Sequence, residues 1–543
     1  MAILVGNIRL PLEAAEQDAF AAAWKKCGLS SGEVRSSHIY RASIDARRGR
    51  ITRVLSVLLS LQDEQKEQAV VEQAGKGDIR LKKAVEEPQP TGTASLSHRP
   101  IVVGFGPGGL FAAYVLAKNG YCPLVVERGQ SMESRDRAVN AFFSGGPFDP
   151  ASNIQFGEGG AGAYSDGKLT SRINDPMSEL VLRTFVEHGA PEEILYRAKP
   201  HIGTDILKQV VRNMRKTIVR MGGEVRFGCT LTGLVHRGGV LEAAVIDGEE
   251  IPCERLILAI GHSARDTFGS LHLQGVYFEP KPFSVGARIE HLQRDIDRGL
   301  YGKFAGHPAL PPAEYTLSHR ENDRACYSFC MCPGGQVVAA QSEPDSVVTN
   351  GMSYHARNGK NANSAIVVSV NPSDFPTSDA LAGIAFQRQI ERQAFRVTGG
   401  YRAPCQTVGD FLQGRATKKQ GRVAPTYPIG VQYTSLGSVL PDFVLAHMQI
   451  GLRQFGRKIR GFDALDALLT APETRTSSPV RMTRLDNRHS RQIAGLIPCG
   501  EGAGYAGGIM SAAVDGIGCA QEILQTFRPL EERRDEVCSK QRQ

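Results

Sequence analysis

Residues 100–129 read PIVVGFGPGGLFAAYVLAKNGYCPLVVERG, and this stretch decides the fold. Ile101-Val102-Val103 is an apolar run of the right length for a buried parallel strand. Gly104-Phe105-Gly106-Pro107-Gly108-Gly109 fits G-x-G-x-x-G. Leu110, Ala113, Tyr114 and Ala117 follow at helical spacing up to about Asn119, and Gly120 is placed to cap the helix. Pro123–Val126 reads as a second buried strand, and it ends at Glu127. The glycines have separate tasks. Gly104 permits the tight strand-to-helix turn, Gly106 lets a pyrophosphate approach the backbone, and Gly109 lets helix and strand pack closely. The helix N-terminus at Pro107-Gly108 then offers free N–H groups and a positive dipole end to an anion. Glu127 lies where a carboxylate can accept both ribose hydroxyls, which favours FAD or NAD over NADP.

The 543 residues suffice for about three or four domains. With 41% hydrophobic and 22% charged residues the chain has ordinary globular composition. The formal net charge of +8 is spread widely, with small clusters at Arg47-Arg48 and Lys418-Lys419, so nothing points to a nucleic-acid surface. Eleven cysteines, an odd number with no paired CxxC, do not make a disulfide framework. The first residues, MAILVGNIRL, do not read as a signal peptide, and the apolar run around Val54–Leu61 is far too short to span a bilayer. A reducing cytoplasm is the expected setting, with no membrane partner.

Residues 1–84 alternate as β-α-β-β-α-β, with a hairpin turn expected at Arg47-Arg48-Gly49-Arg50, and this is the ferredoxin-like pattern. Val85–Arg99 has linker composition. Beyond Glu127, the loop Phe156–Leu169 (FGEGGAGAYSDGKL) can press its backbone against a flat ring or a phosphate, which makes Gly159, Gly160 and Ala161 candidate contacts. Lys168, in the same loop, is a candidate positive charge near the ring or substrate. Residues 275–425 break the dinucleotide pattern and read as an inserted substrate domain. Within it, Cys326, Cys330 and Cys332 stand close in sequence. Regular strand alternation puts Cys330 and Cys332 on one face, whereas a redox pair needs a tight turn, so reduced thiols are expected there. No histidine follows at finger spacing, and no metal site is expected. Arg475 and Arg481 lie among hydroxyls in Glu473–Arg481 (ETRTSSPVR), where they can hold an anionic substrate group.

The ERG of Glu127–Gly129 followed by Arg135 resembles the FAD-binding flavoproteins of the glutathione-reductase superfamily. That resemblance implies FAD contacts from Arg128 and Arg135, a flavin contact from the 156–169 loop, and a backbone contact to adenine at or near Leu231. Ile260–Arg265 is similar to the superfamily's turn where a strand end meets the cofactor, so Gly261, His262 and Arg265 are candidates by position. Leu496–Gly516 (LIPCGEGAGYAGGIMSAAVDG) resembles its second FAD motif. The resemblance gives Gly500 and Glu501 to the ribityl chain, and Gly508 and Ile509 to a helix start facing the flavin, whose positive end stabilises a reduced ring. Over nearly its whole length the chain resembles the uncharacterised bacterial FAD-dependent dehydrogenase family.

The expected architecture is α/β. It has a Rossmann-type, glutathione-reductase-like FAD-binding domain (100–274 and 426–528), an inserted α+β substrate domain (275–425), an N-terminal ferredoxin-like domain (1–84), a linker (85–99) and a charged tail (529–543). The expected function is an FAD-dependent oxidoreductase moving a hydride through flavin N5 to or from a small, anionic substrate, with Arg475, Arg481, Lys168 and His262 near the chemistry. A second G-x-G-x-x-G and a CxxxxC after the first helix are both missing, so NAD(P)H enters only as a transient donor, or a protein supplies the electrons. The alternatives are flavin-dependent modification of an RNA base and a non-catalytic FAD scaffold or redox sensor.

Overall fold

The computed structural model describes residues 1–46, 51–75, 77–171 and 173–530. The expected turn at Arg47–Arg50 and the tail from residue 531 lie outside the described residues.

The first unit comprises β1 (Ala2–Leu10), α1 (Glu16–Cys27), β2 (Val34–Asp45), β3 (Thr52–Leu61), α2 (Lys66–Ala74) and β4 (Ile79–Lys82). Its antiparallel sheet runs β2-β3-β1-β4. Strict alternation in β3 buries Leu55, Val57, Leu59 and Leu61 on one face, beneath α1 and α2. β2 also docks on the rest of the chain, where the amide of Ala42 donates to Tyr196 O at 2.7 Å and that of Ala198 to Ala42 O at 2.8 Å. The 85–99 segment is tied along the chain's last helix, with the Thr91 and Gly92 amides on Leu524 O at 3.0 and 2.9 Å.

The second unit begins with β5 (Ile101–Val103), α3 (Pro107–Lys118), β6 (Leu124–Glu127), α4 (Met132–Phe143), α5 (Met177–Glu187), α6 (Thr204–Arg220) and β7 (Glu224–Phe227). A meander of β8 (Leu231–Arg237), β9 (Val240–Ile246) and β10 (Glu249–Pro252) follows, then β11 (Leu256–Leu258) and α7 (Arg265–Leu273). α6 is amphipathic, burying Leu207, Val210, Val211, Met214 and Ile218 along one stripe.

After β12 (Phe278–Pro280) the chain builds a second layer from β13 (Phe283–Leu292), α8 (Gln293–Tyr301), β14 (Ser318–Glu321), β15 (Arg324–Cys332), β16 (Gln336–Ala339), β17 (Thr349–Met352) and β18 (Asn361–Val370). The same layer continues through α9 (Ala382–Thr398), β19 (Ala403–Thr407), α10 (Val408–Leu412), β20 (Val431–Tyr433), α11 (Asp442–Lys458) and β21 (Leu468–Glu473). Seven strands pair in the order β14-β15-β18-β13-β21-β19-β20. The expected end of this unit at residue 425 is therefore too early. β21 pairs with both β13 and β19, and α11 buries Val444, Met448, Leu452 and Phe455 in the same core. The chain leaves through β22 (Val480–Met482), which pairs antiparallel with β12, so the ways in and out of the second layer lie side by side.

β23 (Leu496–Pro498) and α12 (Ile509–Thr526) return to the first layer. The parallel sheet is then β23-β11-β5-β6-β7, and β5, β6, β11 and β23 are buried throughout, as strands covered on both faces must be. β5 leads to β6 and β7 on one side and pairs with β11 on the other, so the strand order reverses at β5. The crevice beyond the carboxyl ends of strands at such a point is where an α/β sheet binds ligands. Among the described residues, no helix is long and apolar enough to cross a membrane.

Candidate functional site

The carboxyl ends of β5, β6, β11 and β23 open into one cleft, enclosing about 1520 Å³ including its mouth. Its lining joins Gly104, Gly106, Pro107, Gly108, Glu127, Arg128 and Leu231 with Gly160, Ala161 and Gly261 and with Gly500, Glu501, Gly508 and Ile509. Lys168, His262 and Arg475 line it as well. Segments from residue 104 to residue 512 thus meet in one space.

A ligand's space can be read from the glycines. A Cβ on Gly261 or Gly508 would meet nothing within 4 Å, and one on Gly106 nothing nearer than Gly160 Cα at 3.7 Å, so these three backbones face the cleft. Gly104 and Gly109 do the opposite. Their added Cβ atoms would lie 2.3 Å from Ala259 O and 1.8 Å from Gly104 O. Gly109 accordingly serves helix packing and is absent from the cleft lining. Gly106 caps α3 and Gly508 caps α12, so two helix N-termini point their unpaired N–H groups at the same cavity.

The Glu127 carboxylate is buried and already well used. Oε2 accepts from the Phe105 amide at 2.8 Å, and Oε1 accepts from the Gly129 and Gly157 amides, each at 2.9 Å. A carboxylate has about four acceptor sites, so one remains, on Oε2. The expectation that it accepts both ribose hydroxyls is thereby reduced to one. Arg128 stacks over Phe156 and pairs with Asp266 at 2.7 Å, closing the rim. Elsewhere in the lining, burial pushes the Glu501 carboxyl up to about 7, with Lys281 opposing. The cavity, the two helix N-termini and the carboxyl groups of Glu127 and Glu501 suit a dinucleotide whose phosphates lie on α3 and whose second half reaches α12.

Besides Gly109, the candidates Arg135, Gly159, Arg265 and Arg481 lie outside the lining. Arg135 is fully buried and does not reach the cleft. It donates to the carbonyls of Asn153 (2.8 Å), Gly157 (3.3 Å) and Glu158 (2.5 Å), with its guanidinium over the Tyr164 ring. It is a clamp on the loop that presents Gly157 to Glu127. Gly159 lies in that loop, outside the lining; its amide donates to Phe105 O at 2.8 Å. Arg481 is exposed and stacks on Tyr505, also outside. Truncating Arg135 to alanine strands three carbonyls and is expected to cost about 3 kcal/mol or more in a denaturant titration. Arg135→Lys is expected not to rescue it, because one ammonium lacks the fork that spans the set.

Arg475 lines the cleft without a free fork. Its Nε and Nη2 bond Glu391 at 3.2 and 3.0 Å, and Nη1 bonds Ser263 Oγ at 2.9 Å and Ser342 Oγ at 2.5 Å. The expected bidentate grip on an anionic substrate is already taken by Glu391. His262 donates from Nε2–H to Arg475 O at 3.2 Å, and burial first, then the Arg475 charge, lowers its pKa to about 4. It is neutral at pH 7. Lys168 pairs with Asp166 at 2.5 Å and also donates to Met331 O, and despite burial the Asp166 charge holds its pKa above the usual value.

Glu473, on the end of β21, lines the cleft and was not singled out from sequence. Burial pushes its carboxyl up to about 7, against the Arg288 guanidinium 3.7 Å away. A carboxylate ending the otherwise apolar run Leu468–Pro472 was the available signal. Of the three clustered cysteines, only Cys330 lines the cleft. Cys326 faces the core against α11, where a Cβ on Gly451 would lie 2.4 Å from its sulfur, and burial pushes its thiol up to about 12. Among the described residues one further cluster has metal-ligand composition, Cys499, Asp515 and Cys519, but Arg484 and Arg488 already neutralise Asp515 at 2.6 and 2.7 Å.

Residues 282–476 match the family described as FAD-dependent protein, C-terminal domain-like, and residues 3–60 match a domain of unknown function. An uncharacterised protein of Clostridium beijerinckii is 46% identical over 532 residues, which is 97% of this chain and 99% of that protein. Among solved structures, the chain is similar to CtdE in complex with FAD (11% identity, TM-score 0.32, covering 83% of this chain and 92% of that one). It is also similar to glycine oxidase from Bacillus cereus (9% identity, TM-score 0.34, covering 80% and 100%). With the matching domain and the fit of the cleft, FAD is the cofactor of this chain. The chain belongs to one family with the Clostridium beijerinckii protein, a family that carries the C-terminal domain of FAD-dependent proteins.

Proposed function

We propose that the protein is an FAD-dependent oxidoreductase of the glutathione-reductase-like, Rossmann-type flavoproteins, acting on a small molecule admitted between its two layers. The observation that carries this reading is the composition of the cleft beyond the nucleotide end. There the wall comes from the second layer, with Phe329, Cys330, Asn350, Glu473 and Arg475, instead of closing against the first. A purely structural cofactor calls for a sealed cavity, whereas a reacting one needs room and ionisable groups beside it.

FAD supplies a two-electron centre at N5 of its ring. The chain supplies orientation, charge and protons. The α12 N-terminus stabilises negative charge where Gly508 and Ile509 line the cavity. Glu473, with its pKa near 7, can hold or release a proton at working pH. The Arg265–Glu391–Arg475 network fixes the turn that carries His262 and Ser263. With its fork committed to Glu391, Arg475 no longer argues for an anionic substrate.

The visible spectrum of the purified protein, followed anaerobically with NADH and with NADPH, tests this. A flavin spectrum that bleaches rapidly with either nucleotide is the expected result. A colourless protein that takes up no added FAD would overturn it.

A further inference from the structure

Phe329–Gly335 (FCMCPGG) holds a chemistry that the flavin site does not require. Regular alternation would leave Cys330 and Cys332 about two residues' rise apart on one face of β15. The structure breaks that alternation. Phe329 pairs with Ala365 and Cys332 with Asn363, so one extra residue bulges out of β15. Cys330 takes the left-handed conformation there, with φ 46°. Arg288 fixes this turn by donating from both terminal nitrogens to Cys330 O, at 3.1 and 3.0 Å. The bulge folds Cys332 back on Cys330, with the Cys332 S–H donated to the Cys330 carbonyl at 3.3 Å and the two thiols close enough to perturb each other's ionisation.

The two sulfurs differ. Cys330 is half-buried and lines the cleft, whereas Cys332 is fully buried behind it. The neighbouring Cys332 thiol, followed by the charges of Arg288 and Lys168, holds the Cys330 thiol below the usual range against its burial. The Cys330 thiol in turn, together with burial, raises Cys332. A stabilised thiolate in front and a protonated partner behind is the arrangement of a reactive pair. Cys330, Glu473 and Glu501 all line the one cleft, as does Gly508 at the α12 N-terminus.

We propose that Cys330 and Cys332 form a redox pair that exchanges two electrons with the FAD bound in the cleft. In the oxidising direction the S–S bond forms, the dithiol loses two electrons and two protons, and oxidised FAD takes up both to become FADH2. The reverse step cleaves the bond with the same electrons and protons. Glu473 is placed to carry a proton between the pair and solvent. The inference rests on the flavoprotein reading above, and it adds a second two-electron store beside the ring.

The test is an anaerobic dithionite titration of the FAD-loaded full-length protein, with peptide mass spectrometry after alkylation under denaturing conditions. The wild type is expected to take up about four electrons per FAD, against about two for Cys332→Ser with unchanged FAD content, since each thiol pair is a two-electron couple. In the oxidised wild type the Cys330–Cys332 peptide is expected to escape alkylation and to weigh about two hydrogens less. Cys326→Ser is expected to keep the uptake of about four. A wild type that binds FAD, takes up about two electrons and alkylates at both positions overturns the redox pair and leaves the flavoprotein reading standing. A protein that binds no FAD overturns both.

Discussion

Glu391→Ala is expected to destabilise the protein by about 3–5 kcal/mol, the cost of leaving buried guanidinium charges without their partner. The Glu391 side chain is completely buried. Arg265 bonds its two oxygens at 2.8 Å each, Arg475 bonds them at 3.2 and 3.0 Å, and Thr474 adds a hydroxyl at 2.7 Å. Arg265 starts α7 in the first layer, Glu391 belongs to α9, and Arg475 follows β21 in the second, so one carboxylate ties both layers at the wall of the cleft. Urea unfolding of the wild type and variant checks the size of the loss. The pH dependence has a definite sign. Burial alone would raise the Glu391 pKa, but the two arginines hold it well below the usual carboxylate value. A depressed acid stabilises the fold above its unfolded pKa, and the contribution fades as pH falls below that value towards the folded one. The wild-type stability curve is therefore expected to drop on acidification more steeply than that of Glu391→Gln, which has no proton to gain. Equal slopes would show that Glu391 does not carry the charge of this junction.

Why this junction was invisible in the sequence is a matter of range. Strand 101–103, helix 107–118 and strand 124–127 are present where local signals put them, because apolar runs and fixed glycine spacing act over a few residues. Glu391 sits in an amphipathic helix beside Gln387, where a carboxylate reads as solvent-facing, and only distant pairing with Arg265 and Arg475 gives it a role. The same non-local pairing turns Arg475 from a substrate grip into a strut. It also extends the second layer to β21, since a strand of six buried residues does not announce which sheet it joins. Arg135 stands at a position that the resemblance gave to FAD, yet its partners are carbonyls from a loop whose path sequence spacing does not define. The regular alternation expected at Cys330 and Cys332 is broken for a local reason. Period-two alternation assumes a regular strand, and the bulge at Cys330 places a non-glycine residue at positive φ without any turn residue to mark it.

Gly106→Ala and Gly109→Ala are expected to fail in opposite ways, although they lie three residues apart in one motif. At Gly109 the new methyl would sit 1.8 Å from Gly104 O, a backbone atom pinned in turn because the Gly104 amide bonds Val126 O at 2.8 Å. Neither partner can retreat without pulling α3 off β5, so a loss of about 3 kcal/mol or more is expected whether or not FAD is bound. At Gly106 the methyl has 3.7 Å of clearance to Gly160 Cα, and the backbone is in an ordinary extended conformation (φ −77°, ψ −175°) that alanine adopts freely. The apoprotein should therefore keep its melting temperature. What the methyl does occupy is the space over the α3 N-terminus, where the pyrophosphate must come within hydrogen-bonding distance of the free amides. FAD affinity is expected to fall on the order of 100-fold, equivalent to ~2.7 kcal/mol. Circular-dichroism melts of the apoproteins and fluorescence titration with FAD separate the two effects. If Gly106→Ala bound FAD as tightly as the wild type, the phosphates would have to lie elsewhere in the cleft and α3 would lose its assigned role. If Gly109→Ala melted like the wild type, the close helix–strand contact would not be what requires that glycine.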